Sequence, residues 1–241
     1  EHLTTKGFGS IFRIVPAALK ADVTFTWFAS VYASVVVFVA KRMGNKSIIV
    51  VGGVDVAKYP EINYGIWLSW WKAMFVKYAL RNASNVLVVD PSLQKSARLL
   101  AEYEGDNIEC IPTGYDASEW FPSGEKEPFV LTVAGCETEE RMRVKGIDFL
   151  FVAARAMPEV RFVVIGLSRH PIASIRIPSN VEVIPFVERR ELLQYYQRAK
   201  VYCQPSYSEG LPSSLCEAML CECIPVGTDV GGVPTAIGGN G

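Results

Sequence analysis

Short runs of β-branched and aromatic residues alternate with segments of helical period along the whole chain. The runs predict strands near 22–25, 47–51, 85–89, 108–111, 129–134, 161–165, 181–184, 201–204 and 224–226. Between them, apolar spacing of three and four predicts helices over 30–42, 66–81, 92–104, 147–156, 190–199 and 212–220. Pro91 and Pro212 stand where a first helical turn tolerates proline, and Gly44 and Gly105 stand where helices stop. This strand-helix alternation is the pattern of parallel sheets with helices packed on them, an α/β architecture. The stretch 113–128 has glycines, prolines and charges but no sustained period, so a linker is expected over 116–128. It separates an N-terminal domain, 1–115, from a C-terminal one, 129–241.

Composition narrows the class. Half of the 241 residues are hydrophobic and 20% are charged, which excludes a disordered chain. A formal net charge of -1, with basic residues scattered, argues against a nucleic-acid groove. The densest basic group, Arg141, Arg143 and Lys145, suggests a local anion site instead. The six cysteines lack paired CxxC spacing with a nearby histidine, so buried thiols in a reducing compartment are expected, with no metal. Only His2 and His170 supply imidazole. The longest apolar stretch, 28–40, falls short of the ~20 residues that span a bilayer and reads as a buried helix. The first residues have no secretory pattern, and the glycine-rich ending without a closing helix suggests a piece of a longer protein.

The most informative segment is S-Y-S-E-G-L-P-S-S-L-C-E-A-M, residues 206–219, between a strand and a helix. The amides of Gly210, Leu211, Ser213 and Ser214 would lie at a helix N-terminus, a ready site for phosphate. Glu209 begins the loop, and Glu217 projects from the helix back toward it. Carboxylates beside a diphosphate repel it, so their partners should be hydroxyls, as on a sugar and a ribose. The plain alternative is a carboxylate favoured by the helix dipole and a solvated helix position.

Glu209 and Glu217, with seven residues between them within S-x-x-E-G-L-P-x-x-L-x-E-A-M and followed by I-P-V-G-T-D-V-G-G-V-P, resemble the signature of retaining GT-B glycosyltransferases of family four, the group 1 glycosyltransferases. The resemblance implies two Rossmann-like doubly wound domains facing a cleft, the N-terminal one truncated. It implies that Glu209 lies by the donor sugar, Glu217 holds the ribose, and the loop amides receive the diphosphate. The segment 130–148 is similar to the family's strand-loop-helix in which an arginine and a lysine neutralise that diphosphate. Lys145 matches directly; the arginine is Arg141 or Arg143, with Arg141 preferred by spacing. Gly166 matches a glycine near the nucleotide, and Pro185 and Phe186 match the segment that meets the base, core packing being the alternative for Phe186.

The N-terminal half departs from the pattern. The segment 47–55 resembles a strand whose end commonly carries a histidine over the donor sugar; here that place holds Gly52, Gly53 and Asp55. Asp55 is an acceptor-side candidate, with a turn-forming role as the alternative; Gly53, Trp27, Tyr59, Glu61 and Tyr64 are further ones. The aromatic segment 66–78 reads as core, or, if its tryptophans are exposed beside Lys72 and Lys77, as a peripheral membrane contact. The resemblance thus implies a hexosyltransferase type of enzyme that needs no metal or other cofactor. It would move a sugar with retention from a UDP- or GDP-linked donor to a hydroxyl of a glycan, lipid or small molecule, in the cytoplasm or at the inner face of a membrane. The competing functions are a non-catalytic nucleotide-sugar-binding module and an epimerase or hydrolase on the same scaffold.

Overall fold

The computed structural model describes residues 3–4, 7–168 and 175–239. His2 and His170 and the last two residues of the glycine-rich ending lie outside them. The chain divides into two compact units, Glu1–Pro112 and Thr113–Gly241.

The first unit runs α1 (Ile11–Lys20), β1 (Val23–Trp27), α2 (Val31–Met43), β2 (Lys46–Val51), α3 (Trp70–Asn82), β3 (Asn85–Val88), α4 (Pro91–Ala101) and β4 (Ile108–Cys110). The four strands are parallel and lie in chain order. Right-handed crossovers in that order carry α2, α3 and α4 over the same face of the sheet. Burial agrees: Ile49, Val51, Val86 and Val88 are fully enclosed, whereas Phe25 and Trp27, which alternate with Thr24 and Thr26, are exposed. Local chemistry sets the helix limits. The Ser30 side chain accepts from the Ala33 amide to start α2, and Gly44, at φ 74°, ends it. Asp90 caps α4 from its Oδ1 to the Ser92 amide, 2.8 Å away, with Pro91 in the first turn.

Three expectations change here. Helix α1 was invisible because Pro16 sits inside it, removing one backbone donor from the helical ladder. The aromatic segment is broken by Ser69 into a 3₁₀ turn, Ile66–Leu68, and α3. Helix α4 stops at Glu102, in the left-handed region at φ 51°, and not at Gly105.

The second unit runs β5 (Glu127–Cys136), α5 (Glu139–Val144), α6 (Ile147–Ala156), β6 (Arg161–Leu167), β7 (Val181–Ile184), α7 (Arg189–Arg198), β8 (Ala199–Gln204), α8 (Ser213–Leu220), β9 (Ile224–Gly227) and α9 (Val233–Ile237). Its parallel sheet has the order β7-β6-β5-β8-β9, so the winding reverses between β5 and β8. Period-two alternation builds a core on each face. Phe129, Leu131, Val163 and Ile165 join Tyr196, Leu215 and Val233 on one side. Ala134, Phe162 and Val164 join Ile147, Leu150 and Phe151 on the other. The segment expected as a linker belongs to this unit: Trp120 is 2% exposed, edge-on to Tyr196 and beneath the Arg189 guanidinium. One anchoring aromatic in a polar stretch leaves no periodic signal.

Candidate active site

At a reversal of strand order, the loops leaving the two adjacent strands diverge and leave a crevice at the carboxyl edge of the sheet. In the second unit those loops follow β5 and β8, and they bring together Lys145 and Glu209, 64 positions apart. Lys145 Nζ donates to Glu209 Oε1 at 2.6 Å, with both side chains largely buried.

Each side of this pair is held by its own loop. Thr138 caps α5 through the Arg141 amide, 3.2 Å from its Oγ1, and Lys145 ends the helix with its amide on the Arg141 carbonyl. The stretch read as a loop is therefore a single capped turn and a half of helix. Gly146 follows at φ 64° against the Pro205 carbonyl, where a Cβ would come within 1.8 Å of the oxygen. The Tyr207 amide donates to the Val144 carbonyl at 2.8 Å, so the two loops are tied together by backbone.

Behind Glu209 runs a buried polar chain that the sequence reading missed. Ser206 Oγ and Gln204 Nε2 both donate to Glu209 Oε1, at 2.6 and 2.9 Å. The Tyr202 hydroxyl donates to Gln204 Oε1 at 3.1 Å, and Ser214 Oγ reaches the same oxygen at 3.3 Å. Burial pushes the Tyr202 phenol far above its ordinary range, so it remains a donor. The available signal was a glutamine and a serine continuing a buried strand to its carboxyl end. A third loop closes the site: Gly231 at φ 54° lies against the Glu209 carbonyl, and the Gly232 amide donates to the Gly210 carbonyl at 2.7 Å.

The other expected donor-side residues distribute as follows. Arg141 precedes Lys145 by four positions, the spacing of neighbours on one helix face, whereas Arg143 precedes it by only two. Accordingly Lys145 and Arg141 lower, and Glu209 raises, the Cys136 thiol, which burial holds up at about 11. In α8 the first amides to donate within the helix are those of Leu215 and Cys216, both to the Pro212 carbonyl. The Ser213 and Ser214 amides therefore have no acceptor inside the helix. Glu217 is half-buried, and its Oε2 accepts from the Tyr196 hydroxyl at 3.3 Å. Gly166, at φ 99°, lies against the Ala134 carbonyl at the end of β6; Pro185 and Phe186 are exposed beyond β7.

Burial raises the Glu217 carboxyl above its ordinary 4.5, the Tyr196 hydroxyl partly offsetting it. A carboxyl whose folded value exceeds its unfolded one loses stability as pH rises through that window. Glu217→Gln, which keeps an acceptor for Tyr196, is therefore expected to melt higher than the wild type at neutral pH. The difference should vanish below the ordinary carboxylate range in melting curves recorded across pH; a constant gap would contradict this assignment.

In the first unit, Asp55 is not a ligand-facing group. It is 1% exposed; Oδ2 accepts from the Ala29 amide at 2.9 Å, and Oδ1 from the Gly52 and Gly53 amides at 3.2 and 2.9 Å. The carboxylate pins the β1–α2 loop to the end of β2, the turn-forming alternative. Asp55→Ala leaves three backbone donors without it, so a loss of about 3 kcal/mol is expected in denaturant melts. Gly53, at φ 136°, lies inside that turn. Trp27 is exposed against Phe25 and Phe28, and Tyr59 and Tyr64 stack with centroids 6.5 Å apart. Glu61 is exposed on the 3₁₀ turn that joins them. Among the described residues, no three His, Cys, Asp or Glu side chains gather closely enough to hold a metal ion.

The family model for glycosyl transferases group 1 matches residues 119–241, half of the chain and the whole of this site. The chain belongs to the group 1 glycosyltransferases. Over 94% of its length, this glycosyltransferase chain is 26% identical to the putative teichuronic acid biosynthesis glycosyltransferase TuaC of Bacillus subtilis, and it spans 60% of that relative. Among solved structures, Anabaena HepE in complex with UDP-glucose superposes with a TM-score of 0.72 at 17% identity, covering 98% of this chain and 68% of that one. The sucrose-phosphate synthase of Thermosynechococcus elongatus gives 0.70, also at 17% identity, covering 98% and 65%. These likenesses establish the GT-B type of fold for a group 1 chain that spans 60–68% of the length of these proteins.

Proposed function

We propose that this chain carries the donor site of a retaining glycosyltransferase that moves a sugar from a nucleotide-diphosphate sugar to an acceptor hydroxyl. The second unit binds the donor, and the first supplies part of the acceptor side. The observation that carries this reading is the Lys145–Glu209 pair at the strand-order reversal, beside the first turn of α8. The HepE complex with UDP-glucose favours a uridine donor. The acceptor class, a glycan, lipid or small molecule, is a hydroxyl-bearing one. The six free thiols favour a reducing, cytoplasmic setting.

In transfer, the bond from the anomeric carbon to the diphosphate oxygen breaks and a bond to the acceptor oxygen forms on the same face. The acceptor proton passes to the departing phosphate oxygen. Negative charge grows on the diphosphate, where Lys145, Arg141 and the Ser213 and Ser214 amides oppose it. Fixed cations and amides supply that stabilisation, and on this reading no metal is required. Glu209, held by Ser206 and Gln204, accepts from sugar hydroxyls, and Glu217 accepts from the ribose. Gly210 and Leu211 bring the backbone close to the phosphates, while Gly166, Pro185 and Phe186 line the nucleotide end.

Product analysis with a nucleotide sugar and a panel of hydroxyl acceptors tests the reaction class. The expected product is a glycoside with the donor's anomeric configuration. Free sugar with nucleoside diphosphate would make the chain a hydrolase, and bound donor without product would make it a binding module.

A further inference from the structure

Helix α3 is amphipathic in the wrong sense for a helix facing water. Its buried side is Val76, Ala79 and Leu80, while the opposite arc presents Trp70, Trp71, Met74, Phe75 and Tyr78. Trp70 is 74% exposed and Met74 59%; neither finds a place in the core. The arc continues onto α2, where Phe38, half-exposed, meets the Tyr78 ring and lies beneath the Arg42 guanidinium, 5.3 Å from its centroid. Lys72 sits 5.6 Å above the Trp71 ring. On α1, which packs on α2, Phe12 and Leu19 are exposed beside Arg13 and Lys20.

Charge is as one-sided as the apolar surface. Helices α1 to α4 hold nine lysines and arginines and no aspartate or glutamate, in a chain whose formal net charge is -1. The acidic residues near this layer stand outside the helices: Asp22 after α1, the buried Asp90 that caps α4, and Glu102, Glu104 and Asp106 after α4. Glu102 pairs with Lys77 at 2.6 Å, and its carbonyl accepts from Arg81. The layer thus combines tryptophans, other large apolar side chains and cations on its outer surface, the composition that lies in the headgroup region of a membrane. No helix among the described residues is long and apolar enough to cross one.

We propose that the outer surface of α1, α2 and α3 docks peripherally on an anionic bilayer, Trp70, Trp71, Met74 and Phe75 entering the interface while Arg42, Lys72 and their neighbours meet lipid phosphates. The occupant follows from charge complementarity, and the proposal is independent of the transfer reaction. Co-sedimentation with phosphatidylcholine vesicles, and with vesicles half phosphatidylglycerol, tests it on the whole chain. Binding is expected to the anionic vesicles and to weaken with salt. Arg42→Gln with Lys72→Gln should reduce it about 25-fold, each headgroup-facing cation being worth about fivefold. Trp70→Ala with Trp71→Ala should reduce it at least about tenfold. These side chains are exposed, so melting should be unchanged. Should a variant melt early, the salt dependence and lipid selectivity of the wild type decide. Absence of binding, equal binding to both vesicles, or indifference to both pairs of substitutions would overturn the proposal. So would a lipid-independent dimer that the tryptophan substitutions dissolve, which would assign the surface to a second copy.

Discussion

Lys145→Ala is expected to slow sugar transfer about 10²- to 10³-fold, the scale on which losing one preorganised group at a developing oxyanion acts. The residue ends α5 with its amide bound to Arg141 and its ammonium 2.6 Å from Glu209, so its position is set before any donor arrives. Removing it does two things. The departing diphosphate loses a fixed positive charge, and Glu209 keeps only Ser206 and Gln204 as partners. The second effect weakens sugar positioning; the first acts on bond cleavage. The loss should therefore fall mainly on kcat, with a smaller rise in KM, in initial-rate measurements with saturating acceptor. Undiminished turnover would remove Lys145 from the reaction.

A second substitution, at a residue with no side chain to offer the donor, should be equally damaging. Gly146 has φ 64°, and an added Cβ would stand 1.8 Å from the Pro205 carbonyl oxygen. Alanine there meets both left-handed backbone strain and a backbone contact that no rotamer relieves. Either the β5 and β8 loops separate or α6 shifts, and each breaks the Tyr207 to Val144 hydrogen bond that keeps Lys145 over Glu209. We expect Gly146→Ala to lose about 3 kcal/mol or more in denaturant melts and to abolish donor binding. Gly114→Ala is the control, since its Cβ would meet nothing within 4 Å. A Gly146→Ala protein as stable as that control would contradict the close approach.

The contrast between these two residues shows what sequence does and does not disclose. Strand and helix alternation was legible because period-two and period-three-to-four patterns are local, and every expected strand has a counterpart. Lys145 and Glu209 were legible only through the motifs around them, since a contact across 64 positions leaves no local trace. Gln204 and Ser206 were missed for the same reason: their chemistry lies in what they face. The choice between Arg141 and Arg143 depended on whether the stretch was loop or helix, and a short charged helix held by one Thr138 cap has too little apolar period to decide it. For Asp55 a turn-forming role was the more usual reading and a hydroxyl partner the other; burial and its three amide donors separate these. The tryptophans of α3 misled more directly. Apolar residues on many sides of a helix suggest a core, yet Trp67 alone of Trp67, Trp70 and Trp71 is buried, because Ser69 ends one helical segment before the next begins.

Calorimetric titration decides whether the strand-order reversal of the second unit binds a nucleotide-diphosphate sugar through Lys145, Glu209 and Glu217. Wild type, Lys145→Ala and Glu217→Ala would each be titrated with UDP-glucose, alongside UDP, GDP and ADP and their common sugars. Saturable binding selective for one base is expected, weakened in both variants: Lys145→Ala through the diphosphate, Glu217→Ala through the ribose. Binding of equal strength in all three proteins, or none to any nucleotide in the wild type, would contradict it.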